Sequence, residues 1–165
     1  MNTMMRSRIY LSIAALILTA VLVVPATAQN QVPFKGSFQG QETDTPQGSP
    51  PTTLNIVGST TGIASHVGQC SFTYQLTGIL ANLTATGSGH LIAANGDSIF
   101  TTITGSAHDT IPGILSITEI DIITGGTGRF AGAQGSFTVE RLLNQATGLT
   151  SGSFHGTITS PGAAH

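Results

Sequence analysis

The chain has 165 residues and a formal net charge of −2, and only 7% of its residues are charged, against about 25% in ordinary soluble domains. Only three cations, Lys35, Arg129 and Arg141, follow residue 28, so no basic patch can form and nucleic acid is excluded as a partner. Its polar surface comes instead from 25 threonines, with serine and glycine. Because threonine is β-branched and suits strands, the composition predicts an all-β domain.

The first 28 residues have the three parts of a secretory signal peptide. Arg6 and Arg8 are basic, the run from Ile9 to Val24 is apolar, and Ala26-Thr27-Ala28 places small residues at a cleavage site. The apolar run has sixteen residues, whereas a membrane-spanning helix needs about 20. We therefore expect a signal-peptide helix cleaved after Ala28, a secreted or periplasmic protein, and no stable membrane insertion after cleavage.

The expected mature chain, residues 29–165, forms one domain. Removing 28 residues from 165 leaves 137, a common length for a single domain. Its three basic and seven acidic residues give a formal charge of −4. Cys70 is the only cysteine, so no intramolecular disulfide can form. Its alternation with Phe72, Tyr74 and Leu76 predicts that it lies on the apolar face of a strand as a buried, inert thiol.

The first part of the mature chain shows short alternating runs. Phe34 to Gln39 predicts a strand with one apolar face, and Gln41 to Pro51, which contains three prolines, predicts a loop. Thr53 to Val57 and Thr61 to Val67 predict two further strands, separated at Gly58-Ser59-Thr60.

The dipeptide Asn95-Gly96 predicts a hairpin with a two-residue type I′ turn. Counting outwards from this turn places His90 opposite Thr101 on the facing strand. Two arrangements stay open. If the isoleucines of these strands line the interior, His90 is a pocket residue; if Leu91 and Phe100 point inward, His90 is exposed to solvent.

The run from Ile114 to Thr124 has a fault in its alternation. Leu115 and Ile117 fit one face, whereas the next two isoleucines fit the other, which predicts a β-bulge near Thr118 and Glu119. Without that bulge, Glu119 and Asp121 would face the interior. Burying carboxylates is costly, so this second arrangement would mark a site.

The segment from Ile123 to Phe137 contains five glycines between two predicted strands. Such density indicates positive φ or close backbone approach, so we predict a structural corner at Gly125, Gly126, Gly128 and Gly132. Its one cation, Arg129, either pins the corner by bonding carbonyl groups or an acid, or contacts a ligand. The segment that begins at Gly126 matches the dinucleotide-binding motif Gly-x-Gly-x-x-Ala, but it does not predict a dinucleotide site because no βαβ unit surrounds it.

The segment from Thr124 to Ser136 resembles the signature corner of the allene oxide cyclase and dirigent superfamily of small β-barrels, and more closely that of secreted bacterial proteins attributed to the same barrel. Gly62 to Gly68 is similar to a second recurrent segment of those bacterial proteins, in which a small residue, a His and a Gly close a strand. His66 is either a ligand or proton donor or, as we expect of a single His at a strand end, holds a turn by hydrogen bonding. The resemblance covers roughly Gly62 to Thr159. It implies a single antiparallel closed barrel of about eight strands, calycin-like in form, and the alternating runs number eight or nine.

Three kinds of function are compatible with these patterns. The first is a secreted, non-enzymatic barrel that binds a small apolar molecule. The second, implied by the resemblance, is a cofactor-independent cyclase-like or dirigent-like enzyme that steers cyclisation or coupling of an apolar intermediate. The third is a barrel filled by its own side chains. Candidate ligand-binding residues are His90, Glu119, Asp121 and Arg129. His108 and Asp109 lie in a predicted turn and do not form a metal site. Of the three functions we expect the first, a non-enzymatic barrel, and we expect no cofactor or metal.

Overall fold

The computed structural model describes residues 30–159. The predicted signal peptide and its cleavage site lie outside these residues. Within them, eight antiparallel strands form a closed barrel in which each strand pairs with its neighbours in sequence and the last pairs with the first. The predicted all-β closed barrel of about eight strands is therefore confirmed. No helix among residues 30–159 has the length and apolar character needed to cross a membrane.

The strands are long, from 10 residues in β4 and β7 to 18 in β1, and they follow one another through tight connections. Their bounds are β1 Gln31–Gly48, β2 Pro51–Ala64, β3 Gly68–Ile79, β4 Thr84–Ala93, β5 Ser98–Ile111, β6 Ile114–Gly126, β7 Gly135–Asn144 and β8 Leu149–Thr159, with a 3₁₀ turn at Gly128–Phe130 between β6 and β7.

The connections alternate between two ends of the barrel. The β2–β3, β4–β5 and β6–β7 connections lie at one end, which we call the closed end, because Val67, Phe130 and Ala133 from these connections are buried in the core there. Phe34, Phe137 and Phe154 pack beneath them, with ring centroids 5.0–5.3 Å apart. The other four connections form the open end. The core is therefore concentrated towards one end.

The predicted loop from Gln41 to Pro51 is wrong. Residues of this segment continue β1 and pair with β2, from Gln41 opposite Ser59 to Gln47 opposite Thr53. Pro46 is tolerated because β1 pairs with β8 only as far as Gln41, so the proline lies on an edge that needs no donor. Long-range pairing has overridden the local turn signals.

The predicted break at Gly58 is also wrong, because β2 runs without interruption from Pro51 to Ala64. A Cβ atom at Gly58 would collide with the ring of Tyr74 on the facing strand. Glycine therefore provides room for an aromatic side chain inside the barrel and does not make a turn.

The predicted hairpin at Asn95-Gly96 exists, but its register is shifted by one residue. The Ala93 N–H donates to the Asp97 carbonyl at 2.9 Å, and Gly96 has φ +89°, as in a three-residue loop that ends with a left-handed glycine. His90 therefore faces Phe100 and not Thr101. Since a one-residue shift exchanges the two faces of a strand, neither predicted arrangement holds as a whole.

The predicted bulge near Thr118 and Glu119 is absent. The pairing of β6 with β7 is continuous from Ile114 opposite Asn144 to Ile123 opposite Gly135, and the irregularities of this region lie in the β5–β6 pairing instead. Glu119 and Asp121 consequently face the interior, while Ile120 and Ile122 lie on the outer surface. His108 and Asp109 belong to β5, and the turn follows them at Pro112-Gly113.

Cys70 lies on the inner face of β3 with Phe72, Tyr74 and Leu76, as predicted. The predicted burial is found only in part, because Cys70 is half-buried. Its Sγ atom lies 3.8 Å from the Gly62 carbonyl oxygen. Burial raises the pKa of the thiol. His66, in the β2–β3 turn, has φ +64° and a ring nitrogen 3.1 Å from the Pro33 carbonyl oxygen, which confirms that it holds a turn.

Candidate functional site

The centre of the barrel contains a buried arginine. The inward alternation of Phe137 and Val139 on β7 continues to Arg141, which is only 5% exposed. Its Nη2 atom donates to Glu119 Oε1 at 2.9 Å and its Nε atom to Glu119 Oε2 at 3.1 Å. Two parallel bonds of this kind fix the guanidinium plane as well as supplying attraction.

The second carboxylate of this cluster comes from β1. Glu42 Oε2 lies 2.9 Å from Arg141 Nη1 and accepts a hydrogen bond from the Tyr74 hydroxyl at 2.7 Å. The same Nη1 atom donates to the Thr150 hydroxyl at 3.2 Å. Each guanidinium nitrogen thus has a partner, as a buried ion pair requires if its desolvation is to be offset. We call Glu42, Tyr74, Glu119, Arg141 and Thr150 the central cluster.

Negative charge exceeds positive charge in this part of the barrel. Burial acts to lower the pKa of Arg141, but Glu119, Tyr74 and Glu42 together outweigh it and raise the pKa, so the arginine stays charged. Burial raises the pKa of Glu42, although Arg141 opposes the shift, and it raises the pKa of Asp44 in the same way. One guanidinium therefore balances a group of carboxylates only in part.

Asp121 lies two residues beyond Glu119 on the same face of β6 and is fully buried. The Thr101 hydroxyl donates to its Oδ2 atom at 3.1 Å, and its Oδ1 atom has no hydrogen-bond partner among the described residues. Burial, reinforced by the charge of Glu119, raises the pKa of Asp121 to about 8. At neutral pH this residue therefore carries a proton.

Two small cavities lie on either side of the central cluster. The larger, about 70 Å³, is at the open end, and we call it the open-end cavity. Glu42, Asp44, Glu119 and Arg141 contribute its charged groups, and most of its wall is apolar, including Leu54, Ile56, Leu76, Leu115, Ile117 and Leu143. The second cavity, about 30 Å³, lies between the cluster and the aromatic core. Side chains therefore fill most of the interior.

The rim of the open-end cavity is apolar and accessible. Ile79, Leu80 and Leu83, at and beside the β3–β4 turn, line it and are 46%, 38% and 40% exposed. Contact of large apolar side chains with water is unfavourable, so a group of them on the surface is typical of a binding site. This rim distinguishes the open end from the closed end.

The four predicted ligand-binding residues do not converge. Glu119 and Asp121 lie together inside the barrel. His90 lies on the outer surface of β4, where its ring stacks on Phe100 at 4.8 Å. Arg129 is at the closed end, where its Nη2 atom donates to the Val67 carbonyl at 3.2 Å and its Nε atom lies 3.6 Å from Asp97 Oδ2. These contacts match those of a residue that pins the corner.

The glycines of the corner are required by its conformation. Gly125, Gly128 and Gly132 have φ of +151°, +57° and +72°, which disfavour any residue with a Cβ atom. A Cβ atom at Gly126 would collide with the Ser98 carbonyl oxygen and with Phe130. The corner also binds the neighbouring hairpin, because the Ser98 N–H donates to the Thr127 hydroxyl at 3.0 Å.

Four residues of the central cluster are absent from the predicted site: Glu42, Tyr74, Arg141 and Thr150. The sequence pattern predicts Tyr74 on the apolar face of its strand, and it also contains a signal for Glu42 and Arg141. The alternation that begins at Phe34 reaches Glu42 with inward parity, and the alternation that begins at Ala133 reaches Arg141 in the same way. For Glu42, the signal is hidden by the neighbouring prolines, which favour a loop.

Comparison of the chain with models of known families, with curated proteins and with solved structures gave no match. The resemblance of the corner to the allene oxide cyclase and dirigent barrels accordingly remains a proposal. Among residues 30–159, no three His, Cys, Asp or Glu side chains are grouped so that they could hold a metal ion.

Proposed function

We propose that this protein is an exported, non-enzymatic barrel that binds a small apolar molecule at its open end. The observation that carries the proposal is the difference between the two ends. The corner seals one end with Phe130 and Ala133, while the other has an accessible apolar rim above a cavity with charged groups at its base. Ligand sites in proteins combine apolar walls with a few placed polar groups in this way.

The size of the open-end cavity limits its occupant. A cavity of about 70 Å³ is well below the ≈ 300–1,000 Å³ of sites for drug-sized ligands. It accommodates part of a short alkyl group, and a larger ligand would extend across the Ile79, Leu80 and Leu83 rim. Burying four carbon atoms contributes about 3 kcal/mol at roughly 0.8 kcal/mol each, and the freedom lost on association subtracts from this, so binding is no tighter than the millimolar range.

An enzyme of the allene oxide cyclase or dirigent type is the second candidate. The resemblance of the corner supports it, and so does Asp121, a buried carboxyl group whose raised pKa suits proton transfer near neutral pH. Asp121 does not contribute to the wall of either interior cavity, and a substrate would have to displace core side chains to reach it. Binding without chemistry therefore ranks first.

The test is a titration with 1-butanol followed by methyl NMR. We expect shifts at Ile56, Leu76 and Leu143, which line the cavity, and none at Ile120 and Ile122 on the outer surface. Ala107→Leu, which adds volume to the cavity wall, should abolish the shifts. Thr104→Leu, on the outer face of the same strand, is its matched control. Equal shifts inside and outside, or shifts that survive Ala107→Leu, would refute the site.

A further inference from the structure

The open-end cavity contains more acidic than basic groups. Three carboxylates line it, from Glu42, Asp44 and Glu119, together with one cation, Arg141. Arg141 is already bonded to both glutamates. Asp44, at the exposed edge of the cavity, takes part in no salt bridge among residues 30–159.

We infer that the ligand of this cavity carries a protonated amine beside its apolar part. The inference rests on the proposed binding function and specifies its ligand class. The ammonium group would lie near the Glu42 and Asp44 carboxylates on β1, and the hydrocarbon part would contact the leucine and isoleucine side chains of the wall. An ammonium group offers three donors and a positive charge to carboxylates that the single guanidinium does not balance.

The same charges disfavour an acidic ligand. A carboxylate head group would face three carboxylates, and the one cation that could receive it has its nitrogens occupied by Glu42, Glu119 and Thr150. Burial raises the pKa of Glu42 and of Asp44, and the charges of Asp44 and Glu119 add to the shift of Glu42, so a further negative charge in this place would be unfavourable. A fatty acid is therefore the wrong class of ligand.

A bare metal ion is also a poor occupant. No suitable group of three metal-ligating side chains exists among residues 30–159, and a hydrated cation would make no use of the apolar wall. An organic ammonium ion satisfies both parts of the cavity with one molecule.

The experiment compares three probes that share one hydrocarbon chain. Butylammonium, 1-butanol and butyrate are titrated at pH 7 into the protein, residues 29–165, and binding is followed at the cavity methyl groups of Ile56, Leu76 and Leu143. We expect butylammonium to bind at least threefold more tightly than 1-butanol, and butyrate at least threefold more weakly. Asp44→Asn should remove most of the preference for butylammonium, measured as the ratio of the butylammonium and 1-butanol affinities of that same variant.

Asp109→Asn is the matched control, because Asp109 is an exposed acid near the same end of the barrel that does not line the cavity. It should leave the preference for butylammonium intact. Equal affinity for all three probes, or a preference for butyrate, would overturn the inference and leave the proposed function standing. If no probe shifts the cavity methyl groups, the proposed function fails together with the inference. A preference that is lost equally in Asp44→Asn and Asp109→Asn would reflect the overall charge of the chain and would also overturn it.

Discussion

Arg141 and Glu119, on the neighbouring strands β7 and β6, are joined inside the barrel by two parallel hydrogen bonds of 2.9 and 3.1 Å. Both side chains are nearly inaccessible to solvent. Glu42 approaches the same guanidinium from β1, on the opposite side of β7 across β8. One arginine thus connects β6 and β1, two strands that do not pair with each other in the sheet.

Removing this cation should be strongly destabilising. Arg141→Met would leave the Glu42 and Glu119 carboxylates buried without a partner, and breaking a buried pair in this way costs about 3–5 kcal/mol. Arg141→Lys retains the charge but loses the two parallel hydrogen bonds, so its free energy of unfolding should lie between those of Arg141→Met and the wild type. Denaturant unfolding measures all three.

Lys35→Ala serves as the control, because Lys35 is exposed on the outer face of β1 and its loss should cost under about 0.5 kcal/mol. Adding Glu42→Gln and Glu119→Gln to Arg141→Met should restore part of the stability by removing the stranded charges. An Arg141→Met protein within about 1 kcal/mol of the wild type would mean that the cluster is not electrostatically important.

Asp121 should make the stability depend on pH. Its pKa in the folded protein is about 8, above the ordinary value of 3.8, so the folded state holds one more proton than the unfolded state between these limits. The stabilising effect of protonation is complete below about pH 4 and is lost as the pH rises towards and through 8. The slope contributed by one proton is at most about 1.4 kcal/mol per pH unit.

This dependence is measured by denaturant unfolding between pH 5 and pH 9. Asp121→Asn has no proton to lose and should flatten the profile over that interval. Asp109→Asn changes an exposed residue of β5 and should leave the profile as it is in the wild type. A profile that Asp121→Asn does not alter would assign the pH dependence to other groups.

The corner should respond to substitution residue by residue. Gly128→Ala forces a Cβ atom into a left-handed conformation and against the Asp97 carboxylate, and Gly126→Ala places one against the Ser98 carbonyl group and Phe130. We expect each to cost about 1–3 kcal/mol. Thr127→Ala should cost about 1 kcal/mol, because its hydroxyl accepts a hydrogen bond from the Ser98 N–H.

Thermal melts of these variants are compared with that of Gln134→Ala, an exposed side chain in the same connection. Arg129→Ala should lie between the glycine variants and this control, since it loses its bond to Val67 and its contact with Asp97. If all the midpoints coincide, the corner is an ordinary flexible connection and does not seal the barrel.

Export is tested by expressing the full chain in a host with a Sec pathway. We expect a product that begins at Gln29, because Ala26 and Ala28 are the small residues of the cleavage signal. Mass spectrometry of the exported protein gives its mass and thereby identifies its first residue. Ala28→Leu, which removes a small residue, should block cleavage at this position, and an exported protein that retains Met1 would contradict the prediction.

The sequence by itself determined the fold class and the corner. Threonine-rich alternating runs predict a sheet with one buried face. Gly126 and Gly128 predict a corner with positive φ or close backbone approach. These are local properties, since each depends on the period of a strand or on the backbone of a single residue. They could be predicted without knowing which strands are neighbours.

Tertiary structure decided the site. The pattern of β6 predicts Glu119 and Asp121 as inward residues only under the alternative without a bulge. Arg141, which binds Glu119, lies on β7, and Glu42, the second carboxylate bound to that arginine, lies far away in sequence on β1. The sequence leaves two arrangements of His90 open, and its predicted register is wrong because a hairpin loop of three residues in place of two reverses the faces of the paired strand. Local patterns predict which residues of a strand share a face. The register between strands and the pairing of β1 with β8 arise from long-range contacts. These relationships bring one arginine and a surplus of carboxylates into a common interior.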